Sequence, residues 1–131
     1  MSLTPGTTHE ITRTVTPDMT ADALGNPGVM VFATPSVLTL IENVCSAMLL
    51  PHLPAGAATV GTAVDMKHLG ATPLGMQVRA KATLLETDGK RFVFSVEVFD
   101  AKEKVAEAKH DRFLVNDLAK FLARAMKKAE G

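Results

Sequence analysis

The chain has a single cysteine, Cys45, so no intrachain disulfide can form, which agrees with a reducing compartment. It has no surplus of charge. Fourteen basic residues balance fourteen acidic ones, which argues against a general nucleic-acid binder and leaves little electrostatic resistance to self-association. Met1 to Glu10 contain neither a basic n-region nor an apolar h-region, so nothing there resembles a secretory signal. The longest apolar stretch, around Val37 to Leu53, is broken by Glu42, Asn43 and His52, which argues against a membrane span. The cytoplasm is the expected location. No Gly-rich phosphate loop is present, and His9, His52, His68 and His110 fall on no familiar ligand spacing, so no metal is expected. Repeats, low-complexity tracts and dividing linkers are also missing, and one domain over residues 1–131 is expected.

What remains is 47% hydrophobic and patterned. Thr7 to Val15 alternates loosely, as a first strand does, and Thr16 to Gly28 holds Pro17, Gly25, Pro27 and Gly28, the marks of an irregular segment. Val29 to Ala33 is a short apolar run leading to Thr34-Pro35, where Thr suits an N-cap and Pro the first turn. A helix is predicted from Pro35 to Leu50, stopped by Pro51 and Pro54. Val37, Leu38, Leu40, Ile41, Val44, Cys45, Met48 and Leu49 cover nearly all its sides, as in a buried helix. Period-two strands follow at Thr59–Leu69, Met76–Thr87, Arg91–Asp100 and Val105–Val115, with turn signals at Asp88-Gly89 and Asp100 to Lys104. An amphipathic helix closes the chain from Asn116 to Ala129, with Leu118, Phe121, Leu122 and Met126 as its apolar stripe. The four long strands read as an antiparallel meander. A curved antiparallel sheet wrapped around one hydrophobic helix is the α+β hotdog fold. One small sheet cannot cover such a helix alone, so a homodimer joined edge to edge is expected.

Chemistry concentrates at one residue. From Ala23 to Val64 the only formally charged side chain is Glu42, in mid-helix. Burying a carboxylate is costly unless it is paired or neutralised, and a carboxylate in such a setting makes a general base or a nucleophile. Alternatively it meets solvent at a cleft or is held by a buried Arg. In the strand Thr59–Leu69, alternation places Val60, Thr62, Val64, Met66 and His68 on the apolar face and Gly61, Ala63, Asp65 and Lys67 on the other. His68 should therefore point at the helix carrying Glu42, where an imidazole handles protons at neutral pH; a satisfied core histidine is the plainer reading. Thr34 is read first as a helix cap. A Thr, a Glu and a His can also build a hydrolytic site, although spacing alone does not show that they meet. Cys45, on the apolar helix, reads as core. Lys67, Arg79, Lys81 and Lys102 are scattered strand cations of the kind that face water.

Val31-Phe32-Ala33-Thr34, with Glu42 eight positions on, resembles the helix start of the fluoroacetyl-CoA thioesterase family. Gly61-Thr62-Ala63-Val64-Asp65-Met66-Lys67-His68-Leu69-Gly70-Ala71-Thr72-Pro73 is similar to that family's histidine strand, and His110-Asp111-Arg112 to its late strand. The resemblance runs from about Val29 to the terminal helix. It implies a homodimeric hotdog enzyme, with two equivalent sites near the subunit interface, that hydrolyses an acyl-CoA to a carboxylate and free coenzyme A. No cofactor is implied beyond the coenzyme A of the substrate. Carried over, Thr34, Glu42 and His68 form the catalytic set: Glu42 as base or nucleophile, His68 managing protons, Thr34 as nucleophile or donor at the carbonyl. Phe32 would line the acyl pocket, the Gly61 backbone would approach the acyl group, and Arg112 would partner Glu42 or support the site. The family's lid segment carries aromatics. Here Leu24 to Met30 has none, so a short or medium acyl group other than fluoroacetyl is expected. The rival expectations are a non-catalytic hotdog protein that binds acyl-CoA or another apolar small molecule, and a hotdog hydratase or dehydratase.

Overall fold

The computed structural model describes residues 3–130. Five antiparallel strands form one sheet: β1 (Thr8–Thr14), β2 (Ala58–His68), β3 (Gln77–Thr87), β4 (Arg91–Phe99) and β5 (Lys104–Val115), in the order β1-β3-β4-β5-β2. The helix α1 (Thr34–Leu49) touches all five strands, and a shorter helix, α2 (Leu118–Lys127), follows β5. The predicted elements are present, with ends shifted by a residue or two.

Only β3, β4 and β5 form a meander, so the expected meander of four is corrected. β2 leaves its sequence neighbour and pairs with β5 across the sheet, while β3 pairs with β1. The reason lies in the connection between β2 and β3. It is too long for a tight hairpin and is tied elsewhere: Phe32 N–H donates to Thr72 O, Leu74 N–H donates to Met30 O, and Val31 bridges Pro73. The Ala71-Thr72-Pro73 segment thus anchors the approach to α1. Thr72 is fully buried and donates its hydroxyl to Asp100, in the β4–β5 turn.

The core lies between α1 and the sheet. Val37, Leu40, Ile41, Val44, Cys45, Met48 and Leu49 meet Val78, Ala80, Ala82, Leu84, Phe92, Phe94, Val96 and Val98. The small alanines of β3 let the helix sit close, and full burial of each large aliphatic side chain contributes about 1.5–3 kcal/mol. The helix is not covered all round. Thr39 and Asn43 are exposed and Leu38 and Glu42 only half-buried, so one flank of α1 stays open in the single chain. α2 likewise has no buried residue. Phe121, Leu122 and Met126 remain 42%, 50% and 66% exposed, so the expected apolar stripe exists but has no core beneath it.

β2 departs from simple alternation. Its pairing with β5 shifts between Gly61 and Ala63, a β-bulge at Thr62. Directly paired residues share a face, so Gly61 lies with Arg112 and Val64 with His110, both on the helix side. The expected single face therefore splits. Val64, Met66 and His68 do face α1, but ahead of the bulge it is Thr59 and Gly61 that do so, and Val60 turns to the outer surface beside Phe113.

Candidate active site

Thr34 opens α1 but does not cap it. The cap position falls on Ala33, and no side chain supplies a capping bond there. The hydroxyl is instead engaged by His68 at the end of β2, with Thr34 Oγ1 2.8 Å from His68 Nδ1. The expected cap is thus corrected: Ala33 N–H is held by Met19 O, and the threonine side chain is left free for the imidazole. His68 Nε2 is buried without a hydrogen-bond partner among the described residues. Burial lowers the His68 pKa below its ordinary 6.5, opposed by the Gly70 backbone, so the ring is neutral at pH 7. A neutral imidazole whose Nδ1 accepts from a hydroxyl carries its proton on Nε2, the unpartnered atom.

Glu42 sits in a second cluster. Its Oε2 is 3.7 Å from Arg112 Nη1, and its side chain keeps 43% of its surface exposed against 8% for Arg112. Both plainer readings of Glu42 are thereby realised at once, and the fully buried carboxylate is not. Arg112 is anchored tightly. Its Nε donates to Thr59 Oγ1 at 3.0 Å, Nη2 donates to Thr59 O at 2.9 Å, and Nη1 lies 3.2 Å from His110 Nε2.

Gly61 completes the cluster. A Cβ at this position would lie 2.8 Å from Glu42 Oε2 and 3.0 Å from His110 Cε1, so only glycine leaves that gap open. Phe32 is 2% exposed and belongs to the core; it also floors a groove of about 230 Å³ with Met19, Ser36, Thr39 and Asn43. That groove lies on the open flank of α1 and is not lined by Glu42 or His68. Burial pushes the Cys45 thiol up to about 12, in keeping with a core role.

Within one chain the site is in two halves. Thr34 with His68 is one; Glu42 with Arg112, Gly61 and His110 is the other. Eight residues of helix separate the Thr34 and Glu42 anchors by about 12 Å along the axis, and no hydrogen bond or ion pair joins the halves among the described residues. Nothing in the residues near His110 assigns it a role on its own. Its signal was nonetheless present: Ala106, Ala108, His110 and Arg112 alternate with Glu107, Lys109 and Asp111, which sets two polar side chains on the face towards the core. Among the described residues no group of His, Cys, Asp and Glu has the arrangement of a metal site, and no helix is long and apolar enough to cross a membrane.

A family model described as fluoroacetyl-CoA-specific thioesterase matches residues 15–118. A fluoroacetyl-CoA thioesterase from Streptantibioticus cattleyicolor is 33% identical over 98 residues, covering 75% of this chain and 70% of that protein. The crystal structure of a mutant fluoroacetyl-CoA-specific thioesterase superposes with a TM-score of 0.92 at 28% identity, covering 98% of each chain. A hot-dog-like protein from Thermanaerovibrio acidaminovorans superposes at 0.84 with 22% identity, covering 97% of this chain and 93% of that one, a likeness of fold alone. The fold is the hotdog fold expected from the sequence.

Proposed function

Because the chain belongs to the fluoroacetyl-CoA-specific thioesterase family, we propose that it hydrolyses a small acyl-CoA thioester to a carboxylate and free coenzyme A with Thr34, His68 and Glu42. The observation carrying this reading is the Thr34 hydroxyl, released from capping and set 2.8 Å from a neutral imidazole nitrogen. His68 Nδ1 takes the hydroxyl proton as Thr34 Oγ attacks the thioester carbonyl. The C–S bond breaks, and coenzyme A leaves as thiol with the proton from His68. Water, deprotonated by the same imidazole, then attacks the acyl carbonyl; the ester C–O bond breaks, His68 returns the proton to Thr34 Oγ1, and the acyl group leaves as a carboxylate. Hydrolysis needs no cofactor beyond the coenzyme A of the substrate.

The third group comes from a second copy in this reading. The separation of the Thr34 and Glu42 anchors along α1 prevents one chain from closing the triad. The buried Nε2 of His68 lacks a carboxylate, and β2 is an eleven-residue edge strand with its outer side unpaired. Pairing two β2 edges in a homodimer removes that edge, covers the open flank of α1 and brings Glu42 of the partner subunit towards His68. Glu42 as the direct nucleophile is a second reading, favoured by its half-open carboxylate. Rapid-quench mass spectrometry separates the two, since an acyl adduct on Thr34 supports the first and one on Glu42 the second.

The acyl group is small in this proposal and is not assigned to fluoroacetyl. The segment before the helix presents Leu24, Val29 and Met30, all exposed and none aromatic. A cytoplasmic setting is part of the same proposal, supported by the lone, buried, unpaired Cys45. Free thiol release from a series of acyl-CoA esters tests the activity, with Glu42→Ala, Glu42→Gln and His68→Ala expected to abolish it.

A further inference from the structure

We infer that His110 is a positioning residue, which fixes Arg112 through a hydrogen bond accepted at Nε2 so that the guanidinium holds Glu42 beside the gap left by Gly61. The inference rests on the thioesterase reading for its kinetic consequence, and on the geometry alone for the placement.

His110 is 2% exposed, and both of its ring nitrogens are occupied. Nδ1 lies 2.8 Å from the carbonyl oxygen of Ala63, which can only accept, so Nδ1 carries the proton. Nε2 is then an acceptor, and its neighbour is a guanidinium Nη1 at 3.2 Å, which can only donate. One tautomer satisfies both contacts. Protonation of Nε2 would set two donors against each other beside a positive charge, in keeping with a pKa held below 6.5 chiefly by burial. The groups around the ring are Arg112 on its own strand, Ala63 and Gly61 on β2, and Glu42 on α1.

Arg112 has three acceptors at hydrogen-bond distance: Thr59 Oγ1, Thr59 O and His110 Nε2. The two on Thr59 take Nε and Nη2, one edge of the guanidinium. Among the described residues His110 is the sole hydrogen-bond acceptor on Nη1, and Nη1 is the nitrogen 3.7 Å from Glu42 Oε2. The histidine therefore fixes the end of the guanidinium that faces the catalytic carboxylate. The bulge at Thr62 makes this possible, because it turns both Thr59 and Val64 to the helix side and aims Ala63 O at the imidazole.

Two substitutions separate this role from simple packing. In His110→Asn the amide nitrogen reaches the position of Nδ1, keeping the bond to Ala63 O and losing the acceptor for Arg112. In His110→Gln the amide oxygen reaches the position of Nε2, keeping the acceptor and losing the bond to Ala63. Hydrolysis of acetyl-CoA and butyryl-CoA by the full-length protein should show kcat down roughly tenfold for Asn, the scale of a lost hydrogen bond to a charged group. KM should stay within about twofold, and Gln should recover most of the parent rate. The reverse order, Asn active and Gln impaired, would make His110 a prop for β2 and overturn the inference; so would equal rates. Side-chain nitrogen NMR gives a readout independent of turnover. A single Nδ1–H tautomer of His110, and an Arg112 Nη1–H signal that survives in Gln but broadens in Asn, supports the placement even if no thioester is hydrolysed. An Nε2–H tautomer, or an Arg112 signal indifferent to both changes, overturns it.

Discussion

Thr34 shows how one residue type serves two purposes with no difference in local sequence. Thr-Pro at a helix start is a strong capping signal, and the helix begins within one residue of where that signal puts it. The hydroxyl nonetheless goes to His68, a contact 34 positions away in sequence that no local propensity encodes. Thr34→Ala should lower kcat by roughly 100-fold or more, while Thr34→Ser keeps a hydroxyl in place and loses far less, as steady-state kinetics would show. Gly61→Ala tests the opposite kind of site, where nothing but space is needed. Its Cβ would displace Glu42 Oε2, so activity should fall at least tenfold while thermal unfolding shifts little, since the carboxylate can swing into solvent. The histidines set a pH dependence. His68 and His110 both titrate below 6.5 in the folded chain, so the unfolded chain takes up their protons first as pH falls. Their contribution to stability is full above 6.5 and is lost as pH drops through the folded values. Denaturant midpoints measured from pH 8 to 5 should fall along that course, and less steeply in His110→Gln.

At the scale of elements, nearly everything governed by local pattern was legible. The strand periods, the Asp88-Gly89 turn and the buried stripe of α1 all appear where the residues place them; Asp88 Oδ1 accepts from the backbone of Lys90 and Arg91, as such a turn requires. What was not legible depends on pairing. Alternation assigned Gly61 to the outer face, because a bulge changes parity without changing composition; its pairing with Arg112 puts it on the helix side. Arg112 and His110 look like ordinary polar strand residues until β5 is known to sit between β4 and β2 over the helix. Thr59→Val tests this pairing directly. It removes the hydroxyl that accepts from Arg112 Nε, a hydrogen bond to a charged group worth about 1.5–3 kcal/mol. Chemical denaturation should report a loss of that order.

For the whole molecule, the open flank of α1, the free β2 edge and the two separated half-sites belong together. Each is a cost or an incompleteness in one chain, and the proposed homodimer would resolve all three with one symmetric contact. Sedimentation should give a particle of twice the 13.9 kDa chain mass. Mixing tests the shared site. Thr34→Ala and Glu42→Ala are each expected to be inactive, yet a subunit of each kind in one dimer restores one intact site from the two good residues. Random exchange of equal amounts makes half the dimers mixed, so activity should return to about a quarter of the parent value. No recovery after verified exchange would place the triad within one chain.

The most direct measurement is free-thiol release from acyl-CoA esters spanning acetyl to decanoyl, fluoroacetyl included, by the parent protein and by Glu42→Ala at equal concentration. Steady release by the parent, strongest on a short or medium chain and absent from the variant, is the expected result. A folded protein that binds coenzyme A but releases no thiol from any ester, or a Glu42→Ala variant as active as its parent, would contradict it.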